Sequence, residues 1–171
     1  WQFIGRGDFN WEVKNIDEIA EIVSLIKSQG KKIILCHGVF DLLHIGHIKH
    51  LKEAKNMGDI LVVSITPDEF VNKGPGRPAF NTSLRLEALS ALESIDFVFA
   101  NKWQTAQETI KIIQPNIYCK GPDYKDHSSD LTGKITDEEA AIKFVGGKIM
   151  YTDDITFSSS SLLNKYGDLH S

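Results

Sequence analysis

The sequence predicts an α/β fold: one five-stranded parallel sheet with helices on both faces. Three observations lead there. Short apolar runs rich in β-branched residues recur along the 171-residue chain, each bounded by polar or turn residues. Longer segments with helical periodicity and capping residues separate them. The runs are almost wholly apolar, as strands covered on both faces require. With right-handed crossovers this alternation gives a doubly wound, Rossmann-like sheet.

The elements follow in order. Trp1 to Glu12 carries no readable pattern. "NIDEIAEIVSLIKSQG" is an amphipathic helix, with Asn15 and Glu18 as a capping box and Gly30 as its stop. "KIILC" is a buried strand. "HIGHIKHLKEAKNMG" is a helix ending at Gly58, and "DILVVSI" is the second strand. "NTSLRLEALSALESI" is a capped helix and "DFVFA" the third strand. "TAQETIKIIQ" is a helix that Pro115 stops. "NIYCK" is the fourth strand, "TDEEAAIKFVGG" a helix with acidic residues in its first turn, and "KIMYT" the fifth strand. "SSSSLLNKY" reads as a short final helix. Residues 1–30 are expected to form an N-terminal extension and helix, 31–166 the main domain, and 167–171 a tail or the start of a linker.

Composition bounds the function. Apolar and charged residues make up 42% and 25%, ordinary values for a soluble domain. A net charge of -4 argues against a broad nucleic-acid surface, though not against a small cationic pocket. No apolar run is long enough for a membrane span, and no signal peptide is visible. Cys36 and Cys119 lie in apolar runs and read as buried thiols of a cytoplasmic protein. The chain opens at Trp1 without Met, as one part of a longer protein would.

In a doubly wound sheet ligands bind at the carboxyl ends of the strands. After the first strand comes "HGVFDLLHIGH". Gly38 and Gly46 let a ligand approach the backbone. The following helix aims N–H groups and a partial positive charge at the same space. His44 and His47, three apart, share one helix face and can donate to phosphate oxygens. Single histidines are more often solvated or packed; two around a glycine at a strand end point to phosphate. A structural zinc site is disfavoured, because no Cys or acidic partner stands at zinc spacing. His50 is turned about 60° from His44 around the helix and reads as peripheral. His37 is either a binding residue or a packed one.

After the second strand, "TPDEFVNKGPGRPAFNTSLR" carries Lys73, Arg77 and Arg85. It is either a solvated surface loop or a phosphate clamp. Lys120, Gly121 and Asp123 follow the fourth strand, and the run to about Thr136 is either a lid or an insertion. Ser158, Ser159 and Ser160 follow the fifth, as an anion site or a simple helix cap. Together, four strand ends with anion-binding chemistry imply a polyphosphate ligand.

"GVFDLLHIGHIKHL" resembles the HxGH signature of the cytidylyltransferase-like nucleotidyltransferases, with Gly38, Phe40, Asp41, His44, Gly46, His47 and Leu51 on motif positions. The resemblance covers about Lys31 to Tyr166. Within that superfamily, "GRPAFNTSLRLEAL", "YCKGPDY" and "FSSSSLLN" are similar to segments of the adenylyltransferase domain of ADP-heptose synthase. Serines stand here for that family's threonines, and the stretch after Tyr124 is longer. Glycerol-phosphate cytidylyltransferases share the HxGH but carry an Arg in the terminal hydroxyl motif that this chain lacks.

The resemblance implies attack by a substrate phosphate on the α-phosphorus of a nucleoside triphosphate, with pyrophosphate leaving. ATP and a sugar phosphate such as heptose 1-phosphate are the expected substrates; CTP with glycerol 3-phosphate or another polyol phosphate is the alternative. An anionic nucleophile needs no general base. His44 and His47 are expected to stabilise the transition state, Lys73 to reach across the phosphates, and Arg85 to hold the leaving β/γ phosphates. Ser158 to Ser160 would donate to the same phosphates, and Lys120 would contact the α-phosphate or the acceptor. Gly38, Val39, Phe40, Gly46 and Gly121 would line the nucleotide site. Asp41 and Asp123 are candidates to organise Mg²⁺, the ribose or a histidine. Mg²⁺ is expected with the triphosphate. Relatives also suggest a homodimer and fusion to a sugar kinase domain.

Overall fold

A computed structural model describes residues 15–72, 74–121 and 134–153. The elements are α1 (Ile16–Ser28), β1 (Ile33–Gly38), α2 (Ile45–Lys55), β2 (Ile60–Ile65), α3 (Thr82–Ser90), β3 (Phe97–Ala100), α4 (Gln107–Ile113), β4 (Ile117–Lys120), α5 (Lys134–Phe144) and β5 (Lys148–Tyr151). A single 3₁₀ turn, Asp68–Phe70, follows β2. The sheet is parallel throughout, in the order β3-β2-β1-β4-β5. The chain builds outward from β1 to β3, then returns to lay β4 on the other side of β1. That reversal opens a crevice between the carboxyl ends of β1 and β4.

The period-2 pattern of the strands divides the core in two. Ile33 and Leu35 of β1, with Tyr118 of β4, face α1, α4 and α5. Ile34 and Cys36, with Cys119, face α2 and α3. Cys36 and Cys119 are register partners. A hydrogen bond to Cys119, and then burial, push the Cys36 thiol well above its usual range. Both are inert core residues, as expected. Ile16, Ile19, Val23 and Ile26 of α1 are buried in the first core. The packed unit therefore includes this helix rather than beginning at Lys31.

Local signals set the ends. Asn15 Oδ1 accepts from the Glu18 N–H at 3.0 Å, and Asn81 Oδ1 from the Leu84 N–H at 2.9 Å. Gln114 closes α4 in the left-handed region (φ 53°), directly before Pro115. At Gly58 a Cβ would run into Ile34 Cδ1 and stand 3.0 Å from the Lys32 carbonyl oxygen, so glycine lets α2 turn into β2 without displacing either. Two boundaries differ from expectation. β1 runs on through His37 and Gly38, because both pair with β2. α3 stops at Ser90, five residues before Ile95, and Leu92 and Ile95 pack as a turn beneath the sheet. The expected final helix lies outside the described residues.

A candidate nucleotide site at the ends of β1 and β4

β1 delivers the chain to Gly38, and Phe40 then adopts a left-handed conformation (φ 51°) that a bulky side chain rarely takes. That twist lays the Phe40 ring over Gly38, where a Cβ would stand 3.0 Å from the ring carbon Cε2. The same ring meets His47 edge-on, with centroids 5.5 Å apart at 68°. His44 is the N-cap of α2, and its Nδ1 accepts from the Gly46 N–H at 3.1 Å. In the neutral ring this bond puts the proton on Nε2. His44 and His47 stack with centroids 4.0 Å apart. The two imidazoles thus stand together at a helix N-terminus, as their spacing predicted.

The cations behave differently from expectation. Arg85 is 1% exposed. Its Nε donates to the Phe80 carbonyl at 3.0 Å and Nη1 to the Val39 and Thr66 carbonyls at 2.9 and 2.7 Å. Nη2 donates to Asp68 Oδ1 at 2.7 Å and to Thr82 Oγ1 at 3.4 Å. All five donors of the guanidinium are engaged. Arg85, expected to hold the leaving phosphates, here ties the ends of β1 and β2 to the start of α3. Val39 likewise contributes its carbonyl to this brace. Asp68 is exposed enough that burial raises its pKa only partly, and the Arg85 and Thr82 hydrogen bonds hold it below the usual carboxylate value.

Asp41 is likewise engaged by groups of the chain itself. Its Oδ2 accepts from Arg77 Nε and from the Ala79 N–H, both at 2.7 Å, and Oδ1 from the Phe80 N–H at 2.9 Å. Burial would raise its pKa, but the Phe80 and Ala79 amides and Arg77 outweigh it and hold the carboxyl low. Asp41 clamps the glycine-proline loop. Among the described residues, no group of three or more His, Cys, Asp or Glu is placed to hold a metal ion.

Lys120 ends β4, one residue past the register pair Cys36–Cys119, and so lies level with His37 at the end of β1. Its Nζ is 3.4 Å from Glu138 Oε2 and 5.0 Å from the centre of the Tyr118 ring. Half-buried Gly121 follows it. His37 bridges β1 and β2, with Nδ1 2.7 Å from Ser64 Oγ and Nε2 3.4 Å from Thr66 Oγ1. His50 is less peripheral than its helical angle suggested. Its Nδ1 lies 2.8 Å from Thr152 Oγ1, just past β5. Burial, aided by the Lys120 charge, pushes its pKa down to about 4. Lys73, Asp123 and Ser158 to Ser160 lie outside the described residues.

Sequence reasoning missed Glu138, Tyr118 and Thr152. Glu138 left a readable signal: with Ile135, Ala141 and Ile142 it falls on the buried stripe of α5, where a carboxylate needs partners.

The cytidylyltransferase-like family matches residues 35–165. The chain belongs to this family and is by class a nucleotidyltransferase. Among its relatives are the bifunctional protein HldE of Aliarcobacter butzleri, 38% identical over 146 residues, and that of Sulfurimonas denitrificans, 38% identical over 161. These matches cover 84% and 92% of this chain but 30% and 32% of the relatives, so the chain spans about a third of their length. A lipopolysaccharide core biosynthesis protein from Thermoplasma volcanium superposes with a TM-score of 0.61 at 29% identity, covering 74% of this chain and all of that one. A pantoate-beta-alanine ligase from Francisella tularensis shares the fold alone, with a TM-score of 0.58 at 19% identity over 86% of this chain and 68% of that one.

Proposed function

We propose that the domain transfers AMP from ATP to a sugar 1-phosphate, a heptose 1-phosphate being the best candidate, and releases pyrophosphate. The observation that carries the reading is the stacked His44–His47 pair at the N-terminus of α2, with Lys120 at the neighbouring strand end. The similarity to the HldE proteins, together with the "KGPDY" segment, favours a sugar phosphate over a polyol phosphate.

An oxygen of the acceptor phosphate attacks the α-phosphorus. The new P–O bond forms as the bond from the α-phosphorus to the β-bridging oxygen breaks, and that electron pair leaves with pyrophosphate. No proton must be removed from the nucleophile, in keeping with catalysis by alignment and charge stabilisation. His44 and His47 donate to the phosphoryl oxygens as charge develops. The helix N-terminus adds partial positive charge to the same place. Lys120 holds the α-phosphate or the acceptor phosphate. Lys73 and Ser158 to Ser160 are assigned to the β/γ phosphates. Mg²⁺ would accompany the triphosphate and neutralise part of its charge. The length and name of the HldE relatives fit a chain that works beside a second activity, for which a sugar kinase is the candidate. No helix among the described residues is long and apolar enough to cross a membrane.

A pyrophosphate-release screen tests the reading. Four ribonucleoside triphosphates are crossed with sugar and polyol phosphates. ATP with heptose 1-phosphate is expected to give the highest kcat/KM. Preference for CTP with glycerol 3-phosphate would replace the adenylyl assignment with the cytidylyl one.

A further inference from the structure

Glu138 is 4% exposed, and three groups from α4 and β4 converge on its carboxylate. Oε1 accepts from the Ala106 N–H, at the N-cap of α4, at 3.2 Å. Oε2 accepts from the Tyr118 hydroxyl at 2.9 Å. The same Oε2 faces Lys120 Nζ at 3.4 Å, and that ammonium sits over the Tyr118 ring. Tyr118 and Lys120 are two apart on β4, so their side chains leave the same face of the sheet. Lys120 is thereby held from one side by a carboxylate and a ring, at the mouth of the crevice between β1 and β4.

A buried ion pair is a poor device for stability, since apolar residues of similar volume do as well. This one is built to fix a position. The carboxylate has two other donors that stop it from moving. Its distance from Lys120 is longer than the roughly 2.7–2.9 Å of a tight charged hydrogen bond. The carboxylate orients the ammonium, and an arriving phosphate dianion competes with that carboxylate for its charge.

We propose that Glu138 is a positioning residue for nucleotidyl transfer. It sets Lys120, supported by Tyr118, at the place where a substrate phosphate must lie, and it does so from α5, on the far side of β4 from the imidazole pair's helix. The inference rests on the reading of Lys120 as a phosphate ligand. It has a signature that packing alone lacks. The carboxylate competes with phosphate for Lys120, so its loss costs alignment but not affinity.

The test uses the full chain as wild type, Glu138→Gln, Tyr118→Phe and Lys120→Gln. Pyrophosphate release is measured at saturating ATP against a titrated sugar 1-phosphate, and binding of inorganic phosphate is measured by calorimetry. Glu138→Gln is expected to lower kcat about tenfold while KM for the sugar phosphate stays level or falls. Tyr118→Phe, which removes one hydroxyl, is expected to lower kcat about threefold. Phosphate is expected to bind Glu138→Gln at least as tightly as wild type and to be lost in Lys120→Gln. Wild-type kcat and KM in Glu138→Gln, or undiminished phosphate binding in Lys120→Gln, would overturn the proposal. If wild type releases no pyrophosphate with any acceptor, the transferase reading fails. The calorimetric comparison then decides this inference alone: equal phosphate binding by wild type, Glu138→Gln and Lys120→Gln sinks it.

Discussion

Arg85 and Lys120 are two buried cations beside neighbouring strand ends, and they are held in opposite ways. Arg85 spends all five donors on three carbonyls, a hydroxyl and a carboxylate. Its planar fork is matched to fixed acceptors, so exchanging any of them for a ligand breaks a buried hydrogen bond. Lys120 meets a carboxylate at 3.4 Å and a ring face at 5.0 Å. A point charge on a flexible stem tolerates a change of partner. The difference separates architecture from chemistry: one cation builds the wall of the crevice and the other stands at its opening.

Substitutions at the two positions should therefore part company. Arg85→Ala is expected to cost about 3–5 kcal/mol of stability, because Asp68 and three carbonyls lose their partner. Denaturant unfolding reads it, and a loss below about 1 kcal/mol would dissolve the contrast. His47→Ala touches neither cation. It is expected to lower kcat about 10²–10³-fold with little change in melting temperature. Near-wild-type turnover would remove the imidazole pair from the mechanism. Asp41→Asn should resemble Arg85 in kind, costing on the order of 1–3 kcal/mol by loosening the Arg77–Phe80 loop, and thermal unfolding measures it. Lys120→Met is expected to cost about 1–3 kcal/mol, less than Arg85→Ala because Glu138 keeps its Tyr118 and Ala106 donors, while turnover drops at least about tenfold. A large stability loss there would make Lys120 another Arg85.

The smallest effect is a pH dependence at His50. Its folded pKa of about 4 lies below the ordinary 6.5, so the ring is neutral when folded and takes up a proton on unfolding. Its contribution is fully present above pH 6.5, shrinks as pH falls, and levels off near 4. With partial exposure discounted, the loss is no more than about 2 kcal/mol. His50→Leu should flatten the stability profile across that window, and an unchanged slope would place the titrating group elsewhere.

Much of this was readable in advance. The alternation of apolar runs and capped periodic segments specified all five strands, and His44 and His47 stand together because a spacing of three on a first helical turn leaves little choice. The partners of Arg85 and Asp41 were not readable, because charge near a glycine loop looks available in one dimension. In three dimensions Phe80 and Thr66 carry amides and carbonyls to them, and those partners are backbone groups that no residue type announces. His50 was set aside on its helical angle, which says nothing about Thr152, 102 residues away. Glu138 was passed over as a first-turn acid, although its place on the buried stripe of α5 marked it.

The sequence by itself determined the strands of the parallel sheet, the helices between them and the imidazole pair at the start of α2. Each of these follows from periodicity, capping and helix geometry within one short segment. The tertiary structure alone decided which charges are spent. Whether a cation or carboxylate can meet a ligand depends on the partners that distant segments bring, and on how much water burial has removed from around it.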